Sequence, residues 1–467
     1  MSKAAGLIEL HEVGVYLRDG SCIVEPINFT LEAGQALTLL GQTGSGKSLL
    51  AQALMADLPP DLLVQGQIKF QGQELSSKQR QELWGRQWLM LPQEPREALD
   101  PTMPLGKQVA EGFRYVAQKP KAQAWQLMLK KLQGLGLGKF VNFYPHQISG
   151  GMAQRAAFAA ATCLEGQLLI ADEPTKGLDE YSRQQVIDLL KAQQEAGVAI
   201  LTITHDLEVA KQLGGKIMVL AQGKLCEQGL APQVLSAPQH PYTQAIIEAS
   251  QWAAGAKARS QAVQPHVEIE HLTLHRGKRE IVKDLSFKLY PGQVVGLYGP
   301  SGVGKSTIGE AVCGLLKPSA GKITWHLASA KGRPQVLKLY QDPLTSFATH
   351  VTLRTLLQDV IKKHQLNPQL VPQLMEKLQL NPALLERKAD QVSGGELQRL
   401  AILRVLLFEP KVIFADEITS RLDPLTQRQI LDYLVQAIKD LDCALLLVSH
   451  ERGLIDYYCQ QVIDLTA

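Results

Sequence analysis

The sequence predicts an α/β protein made of two similar domains in tandem. Two glycine-rich loops share one pattern, because residues 41–48 read GQTGSGKS and residues 299–306 read GPSGVGKS. Each loop stands between an apolar run and a helical pattern: the runs are 36–40 and 294–298, and the helical patterns are 49–55 and 307–316. Further motifs recur after each loop in the same order. Repeated strand–loop–helix units of this kind predict two domains with mainly parallel sheets.

The spacing of the repeated motifs predicts where the two domains begin and end. The sequence distance between corresponding motifs of the two halves is nearly constant for the later motifs and larger for the glycine-rich loops. The second half is therefore shorter between its glycine-rich loop and its later motifs. Residues 251–265 lack apolar periodicity and are interpreted as a linker. The predicted domains are therefore 1–250 and 266–467.

Composition excludes several classes of protein. The chain has 467 residues and a net charge of +3, from 48 basic and 45 acidic side chains, which argues against a nucleic-acid-binding surface. None of the six cysteines stands in a C-x-x-C pair, so we expect reduced thiols in a cytosolic protein rather than a zinc or redox site. The N-terminus has no apolar signal core, and the apolar stretch 156–164 is far shorter than the ~20 residues that a membrane span needs.

The glycine-rich loops fit the pattern G-x-x-x-x-G-K-[ST], which predicts phosphate binding. Glycines let backbone N–H groups wrap phosphates, and the helix that follows adds positive potential at its N-terminus. The lysines are expected to reach the β- and γ-phosphates and the serines to bind Mg²⁺, so the sequence predicts two bound nucleoside triphosphates. The predicted binding residues are Gly41, Gly44, Gly46, Lys47 and Ser48 in the first half, and Gly299, Gly302, Gly304, Lys305, Ser306 and Thr307 in the second.

Two acidic pairs follow continuous apolar runs, Asp172-Glu173 in the first half and Asp416-Glu417 in the second. Such runs are typical of central parallel strands, and ligands of open α/β sheets bind beyond the carboxyl ends of those strands. The aspartates are therefore predicted to hold Mg²⁺. The glutamates are predicted to orient or deprotonate the attacking water.

The third repeated motif is Ser-Gly-Gly, at Ser149-Gly150-Gly151 and Ser393-Gly394-Gly395. A serine hydroxyl and bare N–H groups at a helix start form an anion site. The motif stands at the same distance before each acidic pair, and with these companions the chain resembles the ATP-binding cassette (ABC) ATPases, whose signature motif is LSGGQ. The resemblance implies two tandem phosphate-loop ATPase domains, each with a mainly parallel core sheet, an antiparallel β subdomain and a helical signature subdomain.

The resemblance also implies further site residues and a pairing of the domains. It implies that each ATP is held between the phosphate loop of one domain and the Ser-Gly-Gly of the other, in an intramolecular pair. The implied residues are Gln93 and Gln341 as Mg²⁺-sensing glutamines, Asp179 and Asp423 of the D-loops, His205 and His450 as catalytic switch histidines, and Tyr16 and His275 beside adenine.

Three segments resemble the oligopeptide, dipeptide and nickel importers within this family. They are YPHQISGGM at 144–152, APQHPYT at 237–243 and QDPLTS at 341–346. The resemblance implies an energy-coupling ATPase subunit with two integral membrane permease subunits and a solute-binding protein as partners. It places the chain peripherally on the cytoplasmic face of the bacterial inner membrane.

Departures from the family pattern keep alternatives open. Met152 and Glu396 replace the last signature Gln, and Ile418 replaces the usual Pro, which puts equal hydrolysis rates at the two sites in doubt. The shorter second half and its non-standard Asp-Glu-Ile-Thr favour nickel or a metal–chelator complex over peptides as the solute. The alternatives are a soluble tandem ATPase acting on ribosomes or nucleic acid, and a sugar-importer ATPase. The short linker and near-neutral charge argue against the former, and two intact sites argue against the latter.

Overall fold

Short apolar strands buried on both faces form the centre of each half of the protein. The computed structural model describes residues 6–252, 264–277, 279–327 and 333–466. Most of the predicted linker, residues 253–263, lies outside these ranges. Two structural units are present, Met1–Ser250 and Gln251–Ala467.

The first unit contains ten strands and ten α-helices within its described residues. The strands are β1 (Ile8–Leu17), β2 (Cys22–Leu31), β3 (Ala36–Leu40), β4 (Leu62–Phe70), β5 (Gln73–Glu74), β6 (Trp88–Leu91), β7 (Leu168–Asp172), β8 (Ala199–Thr204), β9 (Lys216–Ala221) and β10 (Lys224–Leu230). The helices are α1 (Lys47–Met55), α2 (Ser77–Glu82), α3 (Pro95–Ala98), α4 (Leu105–Glu111), α5 (Lys121–Gly134), α6 (Gly150–Ala161), α7 (Glu180–Glu195), α8 (Leu207–Leu213), α9 (Ala231–Ser236) and α10 (Pro241–Ser250). A short π-helix, Gly112–Val116, follows α4.

Two sheets and a helical layer build the first unit. The central sheet has the order β10-β9-β3-β8-β7-β6, in which only β10 runs antiparallel to its neighbour. A second, antiparallel sheet has the order β2-β1-β4-β5. Side chains from α4, α5 and α6 form a separate hydrophobic cluster around Leu105, Met128 and Ala156. Because β3, β7 and β8 are buried throughout and run parallel, their carboxyl ends lie at one edge of the sheet.

The described part of the second unit has eight strands and six α-helices. The strands are β11 (Val267–Arg276), β12 (Arg279–Leu289), β13 (Val294–Tyr298), β14 (Ala320–Trp325), β15 (Val336–Leu339), β16 (Val412–Asp416), β17 (Ala444–Val448) and β18 (Gln461–Asp464). The helices are α11 (Lys305–Val312), α12 (Leu353–His364), α13 (Leu370–Lys377), α14 (Gly394–Leu406), α15 (Pro424–Asp440) and α16 (Arg452–Tyr458).

The second unit repeats the plan of the first. Its central sheet, β15-β16-β17-β13-β18, is parallel throughout, and β12-β11-β14 form an antiparallel sheet. In each central sheet the strand before the glycine-rich loop pairs directly with the strand before a predicted histidine, β3 with β8 and β13 with β17. The predicted fold class is confirmed, with a mainly parallel core sheet, an antiparallel sheet and helices in both units.

The predicted end of the helix after the second glycine-rich loop was wrong. The pattern 307–316 predicts a helix through Leu316, but α11 ends at Val312. Gly314 follows with φ 71°, and the N–H of Leu315 donates to the carbonyl of Glu310. A glycine in the left-handed conformation is a common helix stop, so the apolar residues beyond it lie outside the helix.

Candidate functional site

The glycine-rich loop of the first unit connects β3 to α1. Gly46 caps α1 with φ 92°, and an added Cβ there would lie 2.6 Å from Cγ2 of Val24 on β2. Gly304, in the second unit, caps α11 with φ 116°, and its added Cβ would lie 2.4 Å from Cγ2 of Ile281. Both loops therefore require glycine at this point, because the backbone is left-handed and the antiparallel sheet packs directly against it.

The loop lysines fold back along the loops that precede them. Lys47 Nζ donates to the carbonyls of Gly41 and Gln42, at 2.7 Å each. Lys305 Nζ donates to the carbonyls of Gly299, at 2.6 Å, and Pro300, at 3.1 Å. Each ammonium group is thus held against its glycine-rich loop, and the helix that begins at the same lysine adds positive potential that favours an anion.

The serine that follows each lysine bonds to the aspartate at the end of a central strand. Ser48 Oγ donates to Asp172 Oδ1 at 3.2 Å, and Ser306 Oγ donates to Asp416 Oδ1 at 2.9 Å. Burial raises the pKa of Asp172, and this effect outweighs the hydrogen bond from Ser48, which lowers it. Each pair therefore joins the start of a helix to the carboxyl end of a strand through two oxygen side chains.

These oxygen pairs fit a magnesium ion better than a transition metal. A hydroxyl and a carboxylate are hard oxygen donors, and Mg²⁺ is commonly bound by one or two such protein groups together with phosphates and water. Among the residues that the structure describes, no group of three or more His, Cys, Asp or Glu could hold a metal. The donor set thus suits a Mg²⁺ ion that arrives with a nucleotide.

Glu173 adopts a strained backbone conformation directly after β7. Its φ is 47°, in a region that non-glycine residues rarely adopt, and its N–H donates to the carbonyl of Ile203 at 2.7 Å. Its carboxylate lies 2.9–3.0 Å from Nδ1 of His205, and Thr204 Oγ1 donates to it at 3.4 Å. The strand end is therefore bent so that the acid turns toward the histidine at the end of the neighbouring strand.

Burial and charge act in opposite directions on this pair. Burial favours neutral Glu173, but the charge and hydrogen bond of His205, together with Lys47 and Lys176, outweigh it and lower the pKa of the carboxyl group. Likewise, burial disfavours the imidazolium, but the charge and hydrogen bond of Glu173, together with Asp206, outweigh it and raise the pKa of His205. Each group thus stabilises the charged form of the other, and the carboxylate is ionised at neutral pH.

Glu417, the counterpart in the second unit, has a similar backbone and different neighbours. Its φ is 50°, and His450 Nδ1 lies 3.9 Å from the carboxylate. Lys305 Nζ lies 3.5 Å from Oε1, and Gln341 Nε2 donates to Oε2 at 3.1 Å. Burial raises the pKa of Glu417, but His450 and Lys305 outweigh burial and lower it. The carboxylate is shared among several partners instead of being held mainly by one histidine.

The Ser-Gly-Gly motifs begin helices, as their sequences predict. Ser149 caps α6 by accepting the N–H of Met152 at 3.4 Å. Ser393 caps α14 in a reciprocal arrangement, in which its hydroxyl also donates to the Glu396 carboxylate at 2.7 Å. A Cβ added to Gly150 or Gly394 would meet no atom within 4 Å, so these glycines leave the helix starts uncovered. Gly151 packs against Ser182 of α7, and Gly395 packs against Thr426 of α15.

The remaining predicted residues have different environments. Asp179 and Asp423 cap α7 and α15, where they accept backbone N–H groups of Ser182 at 2.8 Å and Thr426 at 3.0 Å. Gln93 follows β6, and Thr307 is buried in α11.

The two residues predicted to lie beside adenine are both on antiparallel strands. The ring of Tyr16 lies across Gly14 of its own strand, where an added Cβ would be 2.9 Å from Cε2. His275 Nε2 lies 4.0 Å from the Glu280 carboxylate. Neither contact points to a nucleotide, so the adenine roles stay predictions.

Two contacts escaped the sequence interpretation. The Tyr242 hydroxyl, in the HPYT segment, accepts the backbone N–H of Gln42 in the first glycine-rich loop at 2.9 Å. In the second unit, Lys338 Nζ lies 3.1 Å from Asp416 Oδ2. The resemblance to importers marked the HPYT segment, but a pairing across 200 residues has no local sequence signal. Lys338 stands in an apolar run shortly before the QDPLTS segment, and only its charge distinguished it from its neighbours in the sequence.

A family model and several characterised relatives match this chain. Residues 24–176 and 282–420 match the model described as ABC transporter. The chain is 30% identical to the glutathione import ATP-binding protein GsiA of Shigella sonnei (strain Ss046), over 94% of this chain and 81% of that protein. It is also 30% identical to GsiA of Pectobacterium atrosepticum, over 98% of this chain and 84% of that protein.

Solved structures share the fold at lower identity. The model of ribosome-bound archaeal Pelota and ABCE1 contains a chain with a TM-score of 0.71 and 20% identity, covering 97% of this chain and 76% of that one. The structure of RNase-L Inhibitor gives a TM-score of 0.64 and 19% identity, covering 98% of this chain and 87% of that one. At these identities the likeness concerns the fold alone.

The matched regions include both glycine-rich loops and both acidic pairs, and the relatives extend the match over nearly the whole chain. Within the described residues, no helix has the length and apolar character needed to span a bilayer. The chain belongs to the ABC transporter family, and it is an ATP-binding protein with ATPase activity.

Proposed function

We propose that this chain is the energy-coupling ATPase of an ABC importer for peptides, nickel or metal–chelator complexes. The observation that carries the importer assignment is the 30% identity, over almost the whole chain, to proteins named for glutathione import. The ribosome-bound neighbour shares the fold at 20% identity, so it supports no ribosomal role. The single chain supplies both ATPase units that such an importer uses.

ATP binds at both glycine-rich loops in this proposal. The loop N–H groups and the N-termini of α1 and α11 face the phosphates, and Lys47 and Lys305 neutralise them. Each lysine ammonium already lies against its loop, where it donates to loop carbonyl groups. A bound phosphate would replace these carbonyl groups as the partner of the ammonium. This preorganisation lowers the ordering cost of binding.

Mg²⁺ would be held by Ser48 and Asp172 in the first unit and by Ser306 and Asp416 in the second, with Gln93 and Gln341 alongside. When bound, the ion neutralises phosphate charge and orients the terminal phosphate. The protein's own contribution is to fix the serine and aspartate oxygens within 3.2 Å of each other before the ion arrives.

Glu173 and Glu417 act as the bases that accept a proton from the attacking water. A base must be ionised at the working pH, and both carboxyl groups have lowered pKa values. His205 and His450 hold these carboxylates and contact the terminal phosphate. The strained φ at both glutamates fixes each carboxylate beyond its strand end, toward the region of the loop lysine.

Completion of each site by the opposite Ser-Gly-Gly motif is part of the proposal. Ser393, Gly394 and Gly395 complete the site of Lys47, and Ser149, Gly150 and Gly151 complete the site of Lys305. The uncovered helix starts at Gly150 and Gly394 support this role, because they leave N–H groups accessible to an anion. ATP binding then favours a closed pairing of the units and hydrolysis releases it, which drives the membrane partners.

Two integral membrane permease subunits and a solute-binding protein complete the importer, with this chain peripheral on the cytoplasmic face of the bacterial inner membrane. Glutathione is a small peptide, so the named relatives favour the peptide class over the metal class that the shortened second half suggests. A deletion strain complemented with the wild-type chain tests the assignment by uptake of labelled glutathione, dipeptide and nickel.

The proposal predicts that one of these solutes enters only when the chain is present. A chain carrying both Glu173→Gln and Glu417→Gln is the matched control and should not restore uptake. If the deletion leaves uptake of all three solutes unchanged and the purified chain co-sediments with ribosomes, the importer assignment is wrong.

A further inference from the structure

A buried lysine distinguishes the magnesium-facing aspartate of the second unit from that of the first. Lys338 Nζ lies 3.1 Å from Asp416 Oδ2, while Ser306 occupies the other carboxylate oxygen, Oδ1. The side chains of Lys338 and Asp416 are only 10% and 12% exposed. The second oxygen of the carboxylate that is proposed to hold Mg²⁺ is therefore already in contact with the ammonium group of Lys338.

The first unit has no such lysine at the equivalent place. Lys338 is the third residue of β15 and pairs with Phe414 of β16. Met90 is the third residue of β6 and pairs with Ile170 of β7 in the same register. Because these strand pairs correspond, Met90 occupies the position of Lys338. The lysines that act on Asp172 are Lys47 and Lys176, and neither stands on this strand.

A carboxylate and two aromatic rings surround the ammonium group of Lys338. Glu310 Oε1 lies 3.4 Å from Nζ, and the ammonium lies 5.1 Å from the ring centre of Tyr340 and 5.2 Å from that of Phe414. Arg276 donates to the other oxygen of Glu310 at 2.9 Å. Aromatic faces and a carboxylate both attract an ammonium group, so this cluster fixes the position of Lys338 Nζ beside Asp416.

The partner carboxylate is also specific to the second unit. Glu310 is the sixth residue of α11, and the sixth residue of α1 is Gln52. The second unit thus carries an acid–base pair, Glu310 and Lys338, where the first carries an amide and a thioether. The pair adds no net charge, but its positive end is the one that contacts Asp416.

We propose that Lys338 is a positioning residue that acts through Asp416 and makes ATP binding in the second unit less dependent on Mg²⁺ than in the first. The inference rests on the proposed function of both glycine-rich loops. A fixed cation on the carboxylate repels the incoming ion and also supplies part of the positive charge that the phosphates need. We expect the affinity gain that Mg²⁺ gives ATP to be smaller in the second unit by on the order of tenfold, since a unit charge this close to a partly buried site is weakly screened.

The test measures binding to the full chain with one site silenced at a time. Lys47→Ala leaves only the second unit competent, and Lys305→Ala leaves only the first. The affinity for a radiolabelled non-hydrolysable ATP analogue is measured by equilibrium dialysis, once with excess Mg²⁺ and once with chelator. The magnesium ratio of each unit is the affinity with Mg²⁺ divided by the affinity with chelator. This ratio does not depend on hydrolysis, and a purely structural role of Lys338 would not change it.

The proposal predicts a ratio about tenfold smaller for the second unit than for the first, in line with the weak screening of buried charge. Lys338→Met, which copies the first unit, should raise the ratio of the second unit toward that of the first. Lys338→Arg keeps the charge and should leave the ratio low. In the first unit, the reciprocal pair Met90→Lys with Gln52→Glu should lower the ratio, and this variant tests the idea even where Lys338→Met does not fold.

Two failures are distinguishable. If Lys338→Met folds and the ratio stays within about twofold of its parent, or if the reciprocal pair folds and leaves the first unit's ratio unchanged, the role of Lys338 is refuted while ATP binding at both loops stands. If neither silenced chain binds the analogue with Mg²⁺ present, the proposed function itself fails.

Discussion

Replacing Glu173 with Gln should remove most, but not all, of the ATPase activity. Glutamine keeps the shape of the side chain and cannot accept a proton. General acid–base catalysis contributes roughly 100- to 10,000-fold to typical rates, so hydrolysis in the first unit should fall by at least about 100-fold. The second unit keeps Glu417, so the residual activity reports that unit alone.

The size of the residual ATPase activity follows from the different surroundings of the two glutamates. Glu173 is held mainly by His205, at 2.9–3.0 Å. Glu417 accepts a hydrogen bond from Gln341 at 3.1 Å and lies 3.5 Å from Lys305 Nζ, while His450 is 3.9 Å away. A carboxylate engaged by several donors is a weaker base, so we expect the first unit to supply more than about half of the turnover.

Phosphate release by the full chain at saturating ATP and Mg²⁺ measures this, with Glu417→Gln as the matched variant. Glu173→Gln should retain less activity than Glu417→Gln, and the double variant should retain less than about 1%. ATP affinity, measured in parallel, should stay within about threefold of wild type, because neither acid is proposed to hold the phosphates. A wild-type rate in Glu173→Gln, or more than about a tenth of the activity in the double variant, would refute the assignment of these glutamates as bases.

Three further predictions concern the first unit. Tyr242→Phe removes the acceptor of the Gln42 N–H, so ATP affinity in a Lys305→Ala background should fall about two- to tenfold, and unchanged affinity would contradict a role in the loop. Gly46→Ala should lower the free energy of unfolding by about 1–3 kcal/mol in urea titrations, because the added Cβ meets Val24 at a left-handed position. Val24→Ala should restore part of that loss, whereas Gly134→Ala, at a helical position where an added Cβ meets no atom within 4 Å, is the control and should not lower the stability. Burial favours neutral Glu227, but the groups around it outweigh burial and lower its pKa, among them the backbone N–H groups of Gln239 and His240, which donate to its carboxylate. The stabilising contribution of Glu227 is therefore present above the unfolded pKa of about 4.3 and is lost as pH falls through the lower folded pKa. The stability gap between wild type and Glu227→Gln should therefore shrink in acid, and a gap that grows below about pH 4 would contradict this sign.

The sequence predicted the central strands closely because their signal is local. The apolar runs 36–40 and 294–298 coincide with β3 and β13, since each is bounded by glycine or polar residues and buried on both faces. The helices after the loops begin at Lys47 and Lys305, two residues before the predicted starts. Those lysines belong both to the binding motif and to the helix. Because they are charged, a prediction from apolar periodicity leaves them out of the helix.

The candidate site was predicted where its residues lie in motifs and missed where it depends on distant pairing. Ser48 and Asp172 are brought together because a strand end and a helix start meet at one sheet edge, which the motif order implies. The contact of Tyr242 with the first loop depends on where α10 begins relative to β3, and no local pattern encodes that. The contact of Lys338 with Asp416 depends on the register of β15 against β16, which the sequence alone does not give.

The number of ATP molecules bound per chain tests the central claim most directly. The chain carrying Glu173→Gln and Glu417→Gln should bind two ATP molecules in equilibrium dialysis with Mg²⁺. Adding Lys47→Ala or Lys305→Ala should remove one of them in each case. A stoichiometry of one in the parent chain, or a loss of both after a single lysine substitution, would contradict two intact ATP sites in this protein.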